Sequence, residues 1–321
     1  MGFLLEAVNR VLLALGDAVQ WLGHEGFHVV ELPFSWAGRV LNPILAPLFA
    51  WINVPVNAVA TVVLAPIGAL PGWLSNTIVS AVAGVLLLIL FKHTSNQAAI
   101  GRVKDGIKAD MLAIKLFRDE LGVVLRSQGR VFGAALRLLR YSLRPLVVMI
   151  VPVSLLLAQM ALYYQSRPLT PGETAIVTVT IGERLDAALP DASIESTPAV
   201  EATIGPVRVP GRHEIFWQIR AREKGLHGLL VRIGDETFEK ELVVGSGFRR
   251  VSSVRPGWDW TAILLHPQER PFPRHSLVQS IAVDYPPRAS WTSGTDWWLA
   301  YFVLASLVFA MLAKPFLKVR I

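Results

Sequence analysis

The chain has 321 residues, 53% of them hydrophobic and 17% charged, with a mean hydropathy of +0.47. This is too apolar for an ordinary water-soluble domain and marks an integral membrane protein, with room for two or three domains. The net charge of +7 does not signal nucleic acid, because the excess sits beside apolar runs, and the absence of cysteine excludes a disulfide framework, thiol chemistry and cysteine metal sites.

Residues 1–73 are apolar but interrupted by Pro33, Pro43, Pro47, Pro55, Pro66 and Pro71. Each proline removes a backbone donor, so short interfacial or re-entrant helices are predicted in place of one clean span. A hidden span within 41–70 is the alternative, and it would reverse the side of the N-terminus. Residues 1–22 carry Glu6 and Arg10 within the apolar run and lack a basic leader, so they read as an amphipathic helix and not as a cleavable signal peptide.

His24-Glu25-Gly26-Phe27-His28 satisfies the H-E-x-x-H pattern, which sets two imidazoles on one helix face beside a glutamate able to activate a zinc-bound water. Glu31 completes a candidate metal set of His24, His28 and Glu31. The stretch HEGFHVVELPF is similar to the opening of membrane-embedded zinc peptidases of the site-2 type, and the likeness implies an interfacial zinc peptidase. Two features depart from that pattern: Gly26 weakens the helix, and no Asp occurs between Glu31 and Asp105. A structural His pair and an inert interfacial segment are the other readings.

Three stretches reach the roughly 20 apolar residues that a helix needs to cross hydrocarbon. They are 74–91, 145–164 (PLVVMIVPVSLLLAQMALYY) and 297–313 (WWLAYFVLASLVFAMLA). Lys92 and His93 follow the first, Arg144 precedes the second, and Lys314, Lys318 and Arg320 follow the third, so the cationic flanks share one side. The opposite ends carry Trp73, Tyr163, Tyr164, Trp291, Trp297 and Trp298, an aromatic belt. Residues 92–144 hold eleven Lys and Arg against four Asp and Glu, a surplus equal to that of the whole chain. Short cationic loops stay in the cytoplasm. The predicted order is therefore N-terminus out, hairpin in, residues 165–290 out and the basic tail 314–321 in, across a bacterial or archaeal cytoplasmic (inner) membrane.

Within the basic segment Ile100, Val103, Ile107, Ile114, Phe117, Leu121, Val124, Val131, Ala135 and Leu138 recur at a helical, coiled-coil-like spacing. Thr94-Ser95-Asn96 can cap its start, and Gly122 and Gly129 are candidate turns of a two-helix hairpin. Such a stripe needs a partner, within the chain or outside it.

Residues 165–290 change period. Strand-like runs appear at 175–181 (AIVTVTI), 214–221 (EIFWQIRA), 226–233, 236–244 (ETFEKELVV) and 277–285, with turn residues between them. They predict an all-β sandwich of immunoglobulin-like type, with Trp217 in its core and without the cysteine pair of antibody domains. His213, His227, His266 and His275 read as scattered surface residues. Phosphate-binding glycine loops and a Gly-x-Ser-x-Gly elbow are absent, so apart from the zinc alternative no enzyme is expected.

Pro152 bends the second span, where Ser154 and Gln159 can face a wet cavity. The stretch LRPLVVMIVPVSLLLAQ resembles the second span of the YidC-like insertase superfamily, in its archaeal and ER-membrane-complex-like branch. There a basic helical hairpin runs into a span that opens on Lys or Arg and proline and contains a second proline. DWWLAYFVLASLVFAMLAKPFLKV resembles that branch's third span. The likeness covers residues 74–164 and 297–321. It implies a cofactor-free protein that eases polar segments of other membrane proteins or nascent chains across hydrocarbon through a hydrophilic groove. Asn76, Ser80, Arg144, Ser154, Gln159 and Ser306 are the polar residues placed to line that groove. In the family the second and third spans are joined by a short link, where this chain inserts the β-domain, and bacterial members carry an intramembrane Arg that this chain lacks. The expected fold is thus three transmembrane helices and a cytosolic helical hairpin with an inserted all-β domain. The expected partners are membrane lipid, other membrane proteins or nascent chains, and no nucleic acid. A non-catalytic scaffold subunit of a larger membrane complex, docking through the β-domain, is the other reading.

Overall fold

The structure is a computed structural model that describes residues 26–66, 70–117, 119–182, 189–290, 292, 297–317 and 319, with side chains from Val40 onward, Ser142 excepted. The helices are α1 (Gly26–Leu64), α2 (Gly72–Thr94), α3 (Gln97–Leu116), α4 (Leu121–Tyr164), α5 (Trp260–Leu265) and α6 (Trp298–Leu317). Among the described residues α1 over Val40–Leu64, α2, α4 and α6 are long and apolar enough to cross a membrane. The described parts of Met1–Leu64 and Ser166–Pro287 form one compact unit, and those of Ala65–Gln165 and Arg288–Ile321 form another.

In the helical unit α2 packs on α4 and α6. The hydroxyl of Tyr164, at the end of α4, donates to Ser75 Oγ (3.2 Å), and Thr77 Oγ1 lies 2.5 Å from the hydroxyl of Tyr301 in the first turn of α6. These contacts run α2 parallel to α6 and antiparallel to α4, which brings the ends bearing Lys92, Arg144 and Lys314 to the same side of the unit. Of the predicted aromatic belt, Tyr163, Tyr164 and Trp298 pack inward, whereas Trp73 and Trp297 are exposed.

The basic segment forms the predicted hairpin, with Asn96 capping α3 by accepting from the Ala99 N–H (3.0 Å). Its first arm ends at Leu116 and its second begins at Leu121, so the change of direction is not at Gly122 or Gly129, both of which fall inside α4. The second arm and the second span are one helix of 44 residues that runs through Pro145 and Pro152. Pro145 lies deep in this helix, so the expected helix start there is corrected. Helix α1 likewise passes through Pro33, Pro43, Pro47 and Pro55 without a break. A lone proline forfeits one ladder bond, and packing on a neighbouring element outweighs that loss.

In the other unit the strands are β1 (Thr174–Ile181), β2 (Ala192–Ile194), β3 (Val200–Val209), β4 (Glu214–Ala221), β5 (Gly225–Ile233), β6 (Glu236–Val244), β7 (Val254–Arg255) and β8 (Val278–Val283). They form antiparallel sheets in the orders β3-β4-β1-β8-β7 and β2-β5-β6. One apolar core takes alternate residues from both sheets, among them Val177, Val179, Trp217, Ile219, Val231 and Leu242. Strand β3 escapes the sequence pattern because Gly205-Pro206 reads as a turn. It sits at a sheet edge, where a residue without an N–H is tolerated.

Helix α1 belongs to this unit and packs on α5. Asn42 Nδ2 donates to Trp258 O (2.9 Å) and its Oδ1 accepts from Trp260 N–H (2.8 Å). Asn53 donates to Ile263 O (2.7 Å) and Asn57 to Pro267 O (2.6 Å). Arg250 donates to Asn57 Oδ1 (2.8 Å) and Thr61 Oγ1 (2.7 Å), and Phe49 stacks on Trp260 with ring centroids 6.0 Å apart.

Gly84 on α2 faces the backbone of Ser306 on α6, and a Cβ there would collide with the Ser306 carbonyl oxygen. Small residues let helix backbones touch in this way. Gly84→Leu is expected to weaken the α2–α6 pairing by roughly 1–3 kcal/mol, with Gly84→Ala smaller in the same direction. The midpoint of an SDS titration in mixed micelles measures this, and unchanged midpoints in both variants contradict the contact.

Candidate functional site

The six predicted groove residues separate into two groups. Asn76 and Ser80 are fully buried on α2. Asn76 Nδ2 donates to Thr292 O (2.8 Å), and Ser80 Oγ donates to Asn76 Oδ1 (3.3 Å). Gln159 on α4 is 2% exposed. Ser306 Oγ donates to Val303 O of its own helix (3.1 Å), and Ser154 is half-buried. Arg144 is exposed, some 20 residues before the Tyr164 end of the same helix. The structure therefore joins Asn76 and Ser80 directly, sets Ser306 against the α2 backbone, and leaves Arg144 apart. Of these bonds, that of Asn76 ties α2 to the segment preceding α6, whereas those of Ser80 and Ser306 stay within their own helices.

The hairpin presents a different chemistry. Ile100 is buried, and Val103, Ile107, Ile114, Val124, Val131 and Leu138 are partly covered between the arms. Arg130 bonds Asp110 across them (Nε to Oδ1, 2.7 Å) and Ser127 along its own helix (2.8 Å). Phe117 and Leu121, both assigned to the packing stripe by their spacing, are exposed at the turn instead, together with Met111, Leu112, Leu116 and Leu125. The tip is thus apolar and ringed by exposed charges of both signs, Lys108, Lys115 and Arg126 with Asp119 and Glu120.

In the β-domain a charged cluster emerges that the sequence reading did not single out. Lys240 on β6 is fully buried, and its Nζ donates to Glu269 Oε1 (2.5 Å), Ser252 O (2.8 Å) and Glu241 O (3.0 Å). Glu269 also accepts from Ser252 Oγ (2.5 Å) and from the Glu241 N–H (3.0 Å), and Gln268 donates to Glu241 Oε1 (2.7 Å). Burial lowers the Lys240 pKa against the attraction of Glu269. Burial, helped by Glu269, raises that of Glu241. His266 is half-buried and its pKa is lowered by burial and by Lys240, so its expected surface position is corrected. Arg255 stacks over Phe272, with its guanidinium 4.3 Å from the ring centroid. An open cleft of about 400 Å³ beside the cluster is lined by His227, Glu239, Glu241, Arg255, Glu269 and Arg270, among others. All three ammonium hydrogens of Lys240 are engaged, so its role here is to pin β6 to residues 252 and 269. Strict alternation in ETFEKELVV held the signal, because Lys240 lies at the inward parity between Phe238 and Leu242.

Of the metal set, His24 lies outside the described residues, as do the side chains of His28 and Glu31. Among the described residues no group of three or more His, Asp or Glu is placed to hold a metal ion.

No protein-family model matches the chain, and no curated protein matches it. Among solved structures, the crystal structure of the S-layer protein SbsC domains 4 and 5 is similar over 26% of this chain at 13% identity, with a TM-score of 0.21. The likeness spans 48% of that chain, about half its length.

Two outcomes follow from the β-domain chemistry. Lys240→Met leaves Glu269 buried without its cation and is expected to destabilise the domain by about 3–5 kcal/mol, whereas Lys240→Met with Glu269→Leu recovers most of that loss. Urea unfolding followed by tryptophan fluorescence measures both. At the start of the domain Arg167 grips Glu173 through paired bonds of 2.8 and 2.9 Å. Those bonds, with help from Thr170 and against burial, bring the Glu173 pKa from 4.5 down to about 2. The folded value lies below the unfolded one, so this contribution is present above about pH 4.5 and is lost as pH falls through about 2. The acid limb of the stability profile is expected to flatten in Glu173→Gln, and an unchanged limb contradicts the assignment.

Proposed function

We propose that this chain is a YidC-like membrane protein that aids the insertion or assembly of other membrane proteins, with the hairpin as the element that meets them. The observation that carries this reading is the hairpin tip, where Leu116 and Leu121 are 71% and 75% exposed on a hairpin whose segment, residues 92–144, holds eleven Lys and Arg against four Asp and Glu. An incoming membrane segment is apolar and emerges beside anionic lipid and RNA-rich ribosome surfaces, and an apolar tip on a hairpin of net positive charge suits both. The polar residues of the spans act here mainly as ties within the helical unit, with Arg144 as the exposed cation nearest the apolar part of α4. In this reading the hairpin is cytosolic, and the inserted two-sheet domain is an immunoglobulin-like sandwich on the other side of a cytoplasmic membrane.

A second reading is favoured by the mixed-charge cleft of the β-domain. There the chain is a scaffold subunit of a larger membrane complex, and that domain docks its partners.

A photo-crosslinking amino acid at Leu116 or Leu121 is expected to capture a membrane protein during its synthesis, and one at the buried Ile100 is not. Leu112→Glu with Leu121→Glu is expected to lower client integration several-fold at unchanged levels of this chain. Absence of adducts at both tip positions, with integration intact in the double variant, refutes the proposal. A fixed complex that survives mild detergent, and that is lost with Glu239→Lys and Arg270→Glu while the tip variants keep it, establishes the second reading in its place.

A further inference from the structure

Helix α1 from Val40 to Leu64 contains no Asp, Glu, Lys or Arg, which by composition makes it a candidate span. Its contacts give it a different task. The face bearing Asn42, Ala46, Phe49, Asn53, Asn57 and Thr61 is laid along the β-domain, and 19 residues of helix, about 28 Å, lie between the first and last of these contacts. Arg250 marks the Thr61 end of this contact, and the exposed Asp259, between the two partners of Asn42, marks the other. If the helix crossed hydrocarbon it would carry this flank of a folded domain, charges included, into the bilayer. The main-chain groups at 258–267 that bond Asn42, Asn53 and Asn57 would go with it, away from the water that serves the rest of that flank.

The opposite face is wholly apolar and uncovered. Ile44, Leu48, Trp51, Val54, Val59 and Val62 recur there at helical spacing and are between 45% and 75% exposed. Trp51 is the residue type that settles at a membrane surface. Seven residues separate Leu64 from Gly72, where an apolar helix of spanning length begins, so the stripe is tethered close to a bilayer.

We propose that α1 lies in the plane of the membrane, with this stripe in the acyl boundary of one leaflet and the β-domain resting on its polar face. The ligand of the surface is the lipid bilayer. Helix and domain together form a monotopic platform, whose apolar side would enter about 5–10 Å. This holds whether the chain inserts other proteins or scaffolds a complex.

The chain has no cysteine, so single-cysteine variants report without background. Ile44→Cys, Val54→Cys and Val62→Cys of the full chain would be labelled with a small fluorophore and reconstituted in phosphatidylcholine and phosphatidylglycerol vesicles. The lipids would be brominated either near the carbonyl end or near the methyl end of the acyl chain. For a helix in the plane, all three sites are quenched within about twofold of one another, and more strongly by the shallow bromines. Strong deep quenching at Val54 with weak quenching at Ile44 and Val62 identifies a transmembrane helix and overturns the proposal. Absence of quenching at all three shows a face covered by protein or facing water and also overturns it. Leu48→Cys and Val59→Cys, on the same exposed stripe, replace any variant that does not reconstitute.

Discussion

A carboxamide on an apolar helix has to find a backbone partner, and this requirement fixes much of the architecture. Asn42, Asn53, Asn57 and Asn76 each donate to a main-chain carbonyl more than 200 residues further along, at Trp258, Ile263, Pro267 and Thr292. Apolar contact between helices is nearly indifferent to rotation and sliding, and within lipid it supplies little drive of its own. An amide bond distinguishes one register from its neighbours, because a buried donor left without a partner costs about 1–3 kcal/mol. Three of these bonds set α1 on the β-domain. The fourth, with the Thr77–Tyr301 and Tyr164–Ser75 pairs, sets one end of the helical unit.

Ionic groups follow the same division between wet and dry. On the hairpin, Arg130 and Asp110 meet in the open, where such a pair contributes at most about 1 kcal/mol. In the β-domain, Lys240 is sealed from solvent, and its partners bind it with every donor it has. The first pair can part readily. The second holds β6 to residues 252 and 269, and separating it would strand a charge in a dry place.

Much of this was legible in the residues, and the rest was hidden for identifiable reasons. Three of the apolar helices announce themselves by the length of their apolar runs, and the hairpin and five of the strands by period, because burial on one face imposes it. Two short strands, β2 and β7, are too brief to show a period, and β3 is disguised by a glycine-proline pair that only an edge position accommodates. Proline misled in α1 and α4, where tertiary packing overrides the local loss of a hydrogen bond. Asn76 and Ser80, placed by the sequence to line a groove, stand four apart on one helix and bond each other, but the outside partner of Asn76, the Thr292 carbonyl, lies far along the chain and is not legible from spacing. Lys240 stood at an inward position in a strand whose alternation was already clear. Its partner Glu269 lies 29 residues on, so the strand's alternation carries the position of the cation but not the carboxylate that makes it tenable.

Helix α4 joins an arm of the basic hairpin to a membrane-length segment without a break, over 44 residues or about 66 Å. Mechanically it is a lever. A load that tilts the hairpin tip is not absorbed by a loop on the way, and it arrives at Tyr164 as a lateral pull on the hydroxyl that holds Ser75. The two prolines are its points of least bending stiffness, since each deletes a rung of the backbone ladder. On the proposed function, engagement at the hairpin would bear on the seams among the helices of this unit.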